Sequence, residues 1–197
     1  MRELADLKDL RVLVVGGRPS GVQILRTVFG VAGISNVVAV PESRTAINLL
    51  CHERFAALFC DDRSETVGGV PFPLAARRSP GVLNPMIPIF LLCSAARRRQ
   101  IEHARDTGIT DVLARPISAA TILRKMRLAL VRPRPFIAAP DFFGPDRRVR
   151  EHGPIDGEER RKRVAKKVKV TLKDAPEPAL EKAMLGAFFL LSSPLET

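Results

Sequence analysis

The sequence contains no tryptophan and no tyrosine, so its 10 phenylalanines and its aliphatic side chains must fill any hydrophobic core. Cysteine is also scarce, and Cys51, Cys60 and Cys93 form neither a disulfide framework nor a Cys-x-x-Cys motif. Cys60 and Cys93 lie in apolar runs, where cysteine behaves as a small hydrophobe. These scarcities argue against a small disulfide-stapled fold and against a cysteine-based metal site.

Long hydrophobic runs are missing as well. Residues 1–6 are polar and lack the apolar centre of a secretion signal. The longest late apolar run, residues 183–191, is far too short to span a bilayer. We therefore expect a cytoplasmic protein with no membrane span.

Acidic residues are in deficit: the chain has 21 of them against 32 lysines and arginines, which gives a net charge of +11. Residues 1–130 carry +7 and residues 131–197 carry +4, and residues 158–173 alone hold eight basic and two acidic side chains. Such an excess favours anionic partners, such as nucleic acid, acidic protein surfaces, phosphorylated ligands or anionic lipid. A solvated charged surface explains the same composition equally well.

Five short apolar runs alternate with segments of helical periodicity between residues 11 and 130. We interpret the runs as strands: Val12–Val15, Val37–Val40, Ala56–Cys60, Ile87–Cys93 and Asp111–Ala114. Strands that alternate with helices in this way indicate a doubly wound, five-stranded parallel sheet flanked by helices. The predicted fold class is therefore α/β, with residues 1–10 as a lead-in and residues 11–130 as the domain.

Chemically useful residues follow several of these predicted strands. Right-handed crossovers bring the carboxyl ends of parallel strands to one edge of the sheet, where functional residues gather. The residues collected at this edge are Gly16, Gly17, Asp61, Asp62, Ser94 and Arg115. Asp62 and Ser94 also have simpler explanations, as a solvated turn residue and as a hydroxyl bonded to nearby backbone.

Beyond the predicted domain the composition changes. Pro133, Pro135 and Pro140 mark a boundary, and residues 131–173 are expected to form a mostly extended or disordered basic linker or tail. Residues 144–150 and 157–163 repeat the pattern Gly-x-acid-Arg-Arg-x-Arg, which suits phosphate binding or a merely charged linker. The arginines concerned are Arg147, Arg148, Arg150, Arg160, Arg161 and Arg163. The last segment, residues 174–197, includes a possible short amphipathic helix.

The order of these features resembles the receiver domain of two-component response regulators. The resemblance covers about residues 10–130 and rests on Phe55–Asp61, Leu91–Ala95, Gly108–Asp111 and Val112–Pro116. It implies a flavodoxin-like sheet with Asp61 at the phospho-acceptor position, Ser94 at the Ser/Thr switch position and Arg115 where the family has lysine. It also implies a phosphorelay role, with a histidine kinase or a downstream signalling protein as partner and a possible homodimer.

Two departures from the family pattern change the expected chemistry. The acidic pair that helps hold Mg²⁺ after strand one is Gly16-Gly17 here, and arginine replaces lysine at Arg115. Glycine has no carboxylate for a divalent cation, and the planar guanidinium of arginine is suited to pair directly with Asp61. We therefore predict a degenerate receiver that docks partners, is not an enzyme and needs no cofactor, with Mg²⁺ only if the pocket is functional. A phosphorylatable regulator using Asp61 is the alternative.

Three other classes of protein compete with this interpretation. Residues 16–21 nearly match the dinucleotide-binding pattern G-x-G-x-x-G, with Glu42 as the ribose acid, but Arg18 occupies the middle glycine position. The basic tail favours a nucleic-acid-binding protein, although no helix-turn-helix or aromatic platform is visible. A hydrolase finds little support, because His52, His103 and His152 stand apart from any nucleophile motif.

Overall fold

The computed structural model describes residues 9–62, 66–94, 98–139, 141–147 and 166–168. Its main sheet has five strands, all parallel, in the order β2-β1-β3-β4-β5. The strands are β1 (Arg11–Val15), β2 (Asn36–Val40), β3 (Ala57–Asp61), β4 (Ile89–Cys93) and β5 (Asp111–Ala114). The helices are α1 (Pro19–Val31), α2 (Ser43–His52), α3 (Phe72–Arg78), α4 (Arg98–Asp106) and α5 (Ala119–Val131). This confirms the predicted doubly wound α/β fold.

The sheet has a hydrophobic core on each face. Side chains of α1 and α5 pack on one face, and those of α2, α3 and α4 pack on the other. In the first core Phe59 stacks on Phe90 at 4.8 Å between ring centres and meets the edge of Phe29 at 5.2 Å. Phenylalanine thus fills the core, as the absence of tryptophan and tyrosine requires.

Local signals account for the ends of several elements. Pro19 occupies the first turn of α1, where its missing N–H costs nothing. Ser118 caps α5 by accepting a hydrogen bond from the N–H of Thr121 at 3.2 Å. Strand β4 begins at Ile89, directly after Pro88, because proline cannot donate to the ladder. Strand β3 runs one residue beyond the prediction, so Asp61 is its last residue and is buried.

The segment that follows α5, which the sequence predicts to be mostly extended or disordered, contains three short strands. Strands β6 (Phe136–Ala139) and β7 (Phe142–Pro145) form an antiparallel hairpin, and β8 (Lys166–Val168) pairs with the other side of β6. Phe136 is buried and contacts Phe143 at 5.5 Å between ring centres. The two strands of this hairpin are only four residues long each, FIAA and FFGP, and neither alternates apolar and polar residues, so the sequence carries little strand signal here. These strands form a small sheet of their own, separate from the five-stranded sheet, and they follow α5, which ends at Val131.

Candidate functional site

Asp61 lies at the carboxyl edge of the sheet and is 4% exposed. Its strand, β3, is central, with β1 on one side and β4 on the other, so both flanks of the strand are occupied by backbone. Arg115 follows β5 and is held in place by its N–H, which donates to the carbonyl of Cys93 at 2.9 Å. From there its Nη2 donates to Asp61 Oδ2 at 2.5 Å. The predicted direct pairing of these two residues is present in the structure.

Asp62 and Ser94 lie beside this ion pair. The N–H of Asp62 donates to the carbonyl of Leu92 at 2.9 Å, and Asp62 Oδ2 accepts from the N–H of Ser94 at 3.3 Å. The loss of solvent and, next, a side-chain hydrogen bond with Asp61 raise the pKa of the Asp62 carboxyl above its ordinary value, whereas donation from Ser94 lowers it. Asp62 therefore holds its proton more readily than an ordinary aspartate does, beside the ion pair of Asp61 and Arg115.

Gly16 and Gly17 complete the edge next to β1. Both have positive φ, 67° and 87°, a conformation that glycine adopts without strain. A Cβ at Gly17 would lie 3.7 Å from Asp61 Oδ2, so a side chain at residue 17 would point at the buried carboxylate. Position 17 is thus the place from which an acid would reach Asp61, and this chain has none there.

The edge offers few ligands for Mg²⁺. Mg²⁺ requires nearly octahedral oxygen ligation, usually with one or two free carboxylates. Within the described ranges no group of three or more His, Cys, Asp or Glu residues is placed to hold a metal ion. Of the two carboxylates at the edge, Asp61 already binds the Arg115 guanidinium. The local charge is balanced by a fixed cation of the protein itself.

The neighbouring cysteines are unsuited to nucleophilic chemistry. Cys60 is fully buried on β3, and burial raises the pKa of its thiol to about 12. Burial also raises the pKa of Cys93, which lies at the end of β4. Since the thiolate is the reactive form, both thiols stay protonated and inert at neutral pH. Both are free and buried, which confirms their prediction as core residues.

Several other predicted candidates lie away from this edge. Arg147 pairs with Asp106 at 2.5 Å, while Arg148, Arg150, Arg160, Arg161 and Arg163 lie outside the described residues. His52 bonds the Asn48 carbonyl at 2.8 Å within α2, which is a local contact. His152 and the predicted helix in residues 174–197 also fall outside the described ranges.

Sequence reasoning missed Arg77, the one buried arginine of the described chain. Its Nε donates to the Gly108 carbonyl at 3.0 Å, and its Nη1 donates to the carbonyls of Pro85 and Ile87, each at 2.6 Å. Burial lowers the pKa of Arg77 to about 9. Nothing in the sequence distinguishes Arg77 from its exposed neighbour Arg78. The three carbonyls that bind Arg77 belong to the segments before β4 and β5, and only the folded chain brings them to this side chain.

The strand order and the edge residues define the class of fold: residues 11–131 have the fold of response-regulator receiver domains. No family model matches the chain. The chemotaxis response regulator CheY4 of Vibrio cholerae is 22% identical with a TM-score of 0.52, covering 60% of this chain and 96% of that one. A response regulator from Desulfuromonas acetoxidans is 14% identical with a TM-score of 0.56, covering 62% and 97%.

A third similar structure is a receiver domain that contains a metal ion. The receiver domain of a Pseudomonas aeruginosa sensor histidine kinase, which has magnesium coordinated in its active-site cleft, is 21% identical with a TM-score of 0.52. The match covers 60% of this chain and 94% of that one.

The strand order β2-β1-β3-β4-β5 also disfavours the dinucleotide-binding alternative, whose usual strand order is 3-2-1-4-5. None of the helices in the described ranges is both long and apolar enough to cross a membrane.

Proposed function

We propose that this chain is a signalling protein of the two-component type, whose receiver-like domain docks partners without Mg²⁺-dependent phosphorylation of Asp61. The domain carries no catalytic activity in this role. Its partner is a histidine kinase or a downstream signalling protein that recognises the domain surface. The receiver fold and the position of Asp61 at the carboxyl edge support the signalling class, and the composition of the edge supports the degenerate state.

The observation that carries this proposal is the ion pair between Arg115 and Asp61. A carboxylate that attacks a phosphoryl group needs a nearby cation to neutralise the charge on the transferring oxygens, and Mg²⁺ usually supplies it. Here the guanidinium occupies Asp61 Oδ2, and Gly17 contributes no carboxylate to retain a metal. A guanidinium is always protonated and binds carboxylates in a fixed planar geometry. It therefore holds Asp61 in one arrangement.

Incubation with acetyl phosphate and Mg²⁺, followed by intact-mass measurement, tests the proposal. We expect no stoichiometric addition of a phosphoryl group to the wild-type chain. Stoichiometric modification that disappears in Asp61→Asn would overturn the degenerate state and favour the ordinary phosphorylation switch instead.

A gain-of-function variant sharpens this experiment. Gly17→Asp combined with Arg115→Lys places a carboxylate within reach of Asp61. It also replaces the planar guanidinium of residue 115 with a compact ammonium group. Aspartate tolerates the positive φ of residue 17 better than most residues do. We expect this variant to bind Mg²⁺ by calorimetry where the wild type does not, and Gly17→Asn with Arg115→Lys is the matched control without the added charge. Equal Mg²⁺ binding by the control and the carboxylate variant would contradict the charge argument.

A further inference from the structure

The β6–β7 hairpin packs against the end of helix α4. Arg147, two residues after β7, places its Nη1 at 2.5 Å from Asp106 Oδ1 in the last position of α4. The same guanidinium carbon lies 3.8 Å from the ring centre of Phe142 in β7. One arginine side chain thus connects the hairpin to the helix through an ion pair and a cation–π contact.

Two glycines allow the hairpin backbone to reach the loop that follows α4. A Cβ on Gly144 would lie 2.7 Å from the Cα of Gly108, and a Cβ on Gly108 would lie 2.7 Å from the carbonyl oxygen of Phe143. Real Cβ contacts are essentially never that short. The two backbones therefore touch directly, and any larger residue at Gly108 or Gly144 forces them apart.

Two further arginines connect the hairpin region to the same corner of the domain. Arg134 donates through Nη2 to the carbonyl of Thr110, just before β5, and through Nη1 to the carbonyl of Asp146 at 3.2 Å. Arg77 lies with its guanidinium carbon 5.1 Å from the ring centre of Phe136. The hairpin therefore contacts the α4–β5 connection, α4 and α3 together.

Helix α4 links this corner to the opposite edge of the sheet. It begins at Arg98, four positions after Ser94, whose N–H binds Asp62, and it ends at Asp106, which binds Arg147. Its Ala104 is buried in the core on that face. Asp106 and the Ser94 N–H, the two groups that this corner and the site contribute, thus lie at or near the two ends of the same helix.

We propose that the β6–β7 hairpin is a regulatory clamp, whose docking on Asp106 and Gly108 fixes α4 and thereby the Ser94 side of the site. Release of the hairpin would then alter the site from the other end of the domain. The coupling is reciprocal, because a ligand that shifts a shared equilibrium is itself bound more tightly in the favoured state. It holds whether or not Asp61 can be phosphorylated.

Amide hydrogen exchange of the full chain, followed residue by residue by NMR, tests the clamp. In Arg147→Asp the ion pair becomes a repulsion and the cation–π contact is lost. We expect exchange of the hairpin amides and of the α4 amides to rise together, by roughly three- to thirtyfold. The Ser94 amide, which donates to Asp62, should exchange faster in the same variant. Acceleration of the hairpin alone would overturn the proposal, and so would no change in either element.

Three further variants control the experiment. Arg44→Asp makes the same charge change on exposed α2 and should leave both elements at wild-type rates. The double variant Asp106→Arg with Arg147→Asp restores an ion pair of opposite polarity and should slow exchange again in hairpin and helix. Gly144→Ala separates the backbones without any change of charge and should reproduce the coupled acceleration. If Gly144→Ala loosens the hairpin while α4 and Ser94 keep wild-type exchange, the clamp does not regulate the site.

Discussion

At the scale of single residues, the site is governed by the unequal exposure of its two partners. The Asp61 side chain is 5% exposed and the Arg115 side chain is 39% exposed. A buried carboxylate is costly without a cation, whereas a half-exposed guanidinium gives up little hydration to provide one. The pair therefore serves mainly to make the burial of Asp61 tolerable. Lysine would deliver a similar charge, but its ammonium group lacks the planar fork of arginine.

Asp62 yields a prediction about pH. Desolvation and the hydrogen bond with Asp61 raise the pKa of Asp62 in the folded state above its pKa in the unfolded state. Folding stability therefore falls as the pH rises from the unfolded-state pKa to the folded-state pKa. Asp62→Asn keeps an oxygen for the Ser94 N–H and donates an amide hydrogen towards Asp61. We expect this variant to lose that acid-range decline and to be more stable than the wild type at neutral pH.

Urea denaturation of the wild type and Asp62→Asn from pH 3 to pH 7 measures the difference, since the ordinary pKa lies at 3.8. Glu42→Gln, on an exposed carboxylate ahead of α2, is the control for a simple loss of negative charge. Parallel stability curves for wild type and Asp62→Asn across this range would contradict the raised pKa.

At the scale of elements, Arg77 connects α3 to the loops that precede β4 and β5. Replacement by methionine keeps an apolar stem of similar length but leaves the carbonyls of Gly108 and Ile87 buried without their donor. Each unsatisfied buried acceptor costs about 1–3 kcal/mol. We therefore expect Arg77→Met to lower the free energy of unfolding by at least about 1–3 kcal/mol, measured by chemical denaturation.

The neighbouring arginine provides a matched control for this prediction. Arg78 is exposed, whereas Arg77 is 3% exposed, so Arg78→Met removes the same charge from the same helix. We expect Arg78→Met to stay within about 0.5 kcal/mol of the wild type, as surface substitutions usually do. Equal losses in the two variants would show that the carbonyl contacts of Arg77 contribute nothing specific.

The elements also show where sequence reasoning was reliable. All five parallel strands were predicted, because hydrophobic periodicity is a local property of the chain. The hairpin of β6 and β7 was missed, since only four residues form each strand and prolines surround them. Its stability comes from packing on Gly108 and Arg77, which no local pattern records.

At the scale of the whole molecule, the prediction concerns the effect of Mg²⁺ on thermal stability. A ligand that binds only the folded state raises the midpoint of thermal unfolding, and the rise grows with the ratio of its concentration to its Kd. Because the edge offers no fitting ligand set, we expect physiological Mg²⁺ to leave the Tm unchanged relative to NaCl of equal ionic strength. A Mg²⁺-dependent rise in Tm that Asp61→Asn abolishes would contradict the degenerate pocket.

The net charge of +11 acts on the molecule as a whole and stays compatible with several anionic partners. Of the arginines in the repeated motif, Arg147 alone lies in the part of the chain that the structure describes, and it pairs with Asp106. The predicted phosphate-binding role of the remaining arginines stays a prediction, and so does the cytoplasmic location. Charge composition favours a class of partners, whereas the strand order identifies a class of fold.

By itself, the sequence determined the α/β class, the succession of strands and helices along the chain, and the residues that meet at the carboxyl edge. These follow from periodicity and from the geometry that all parallel sheets share. Only the tertiary structure decided that Arg115 reaches Asp61 across 54 positions and that a hairpin is held against Gly108 and Asp106. Such contacts depend on where elements distant in sequence place individual atoms, and no local pattern of residues encodes that placement.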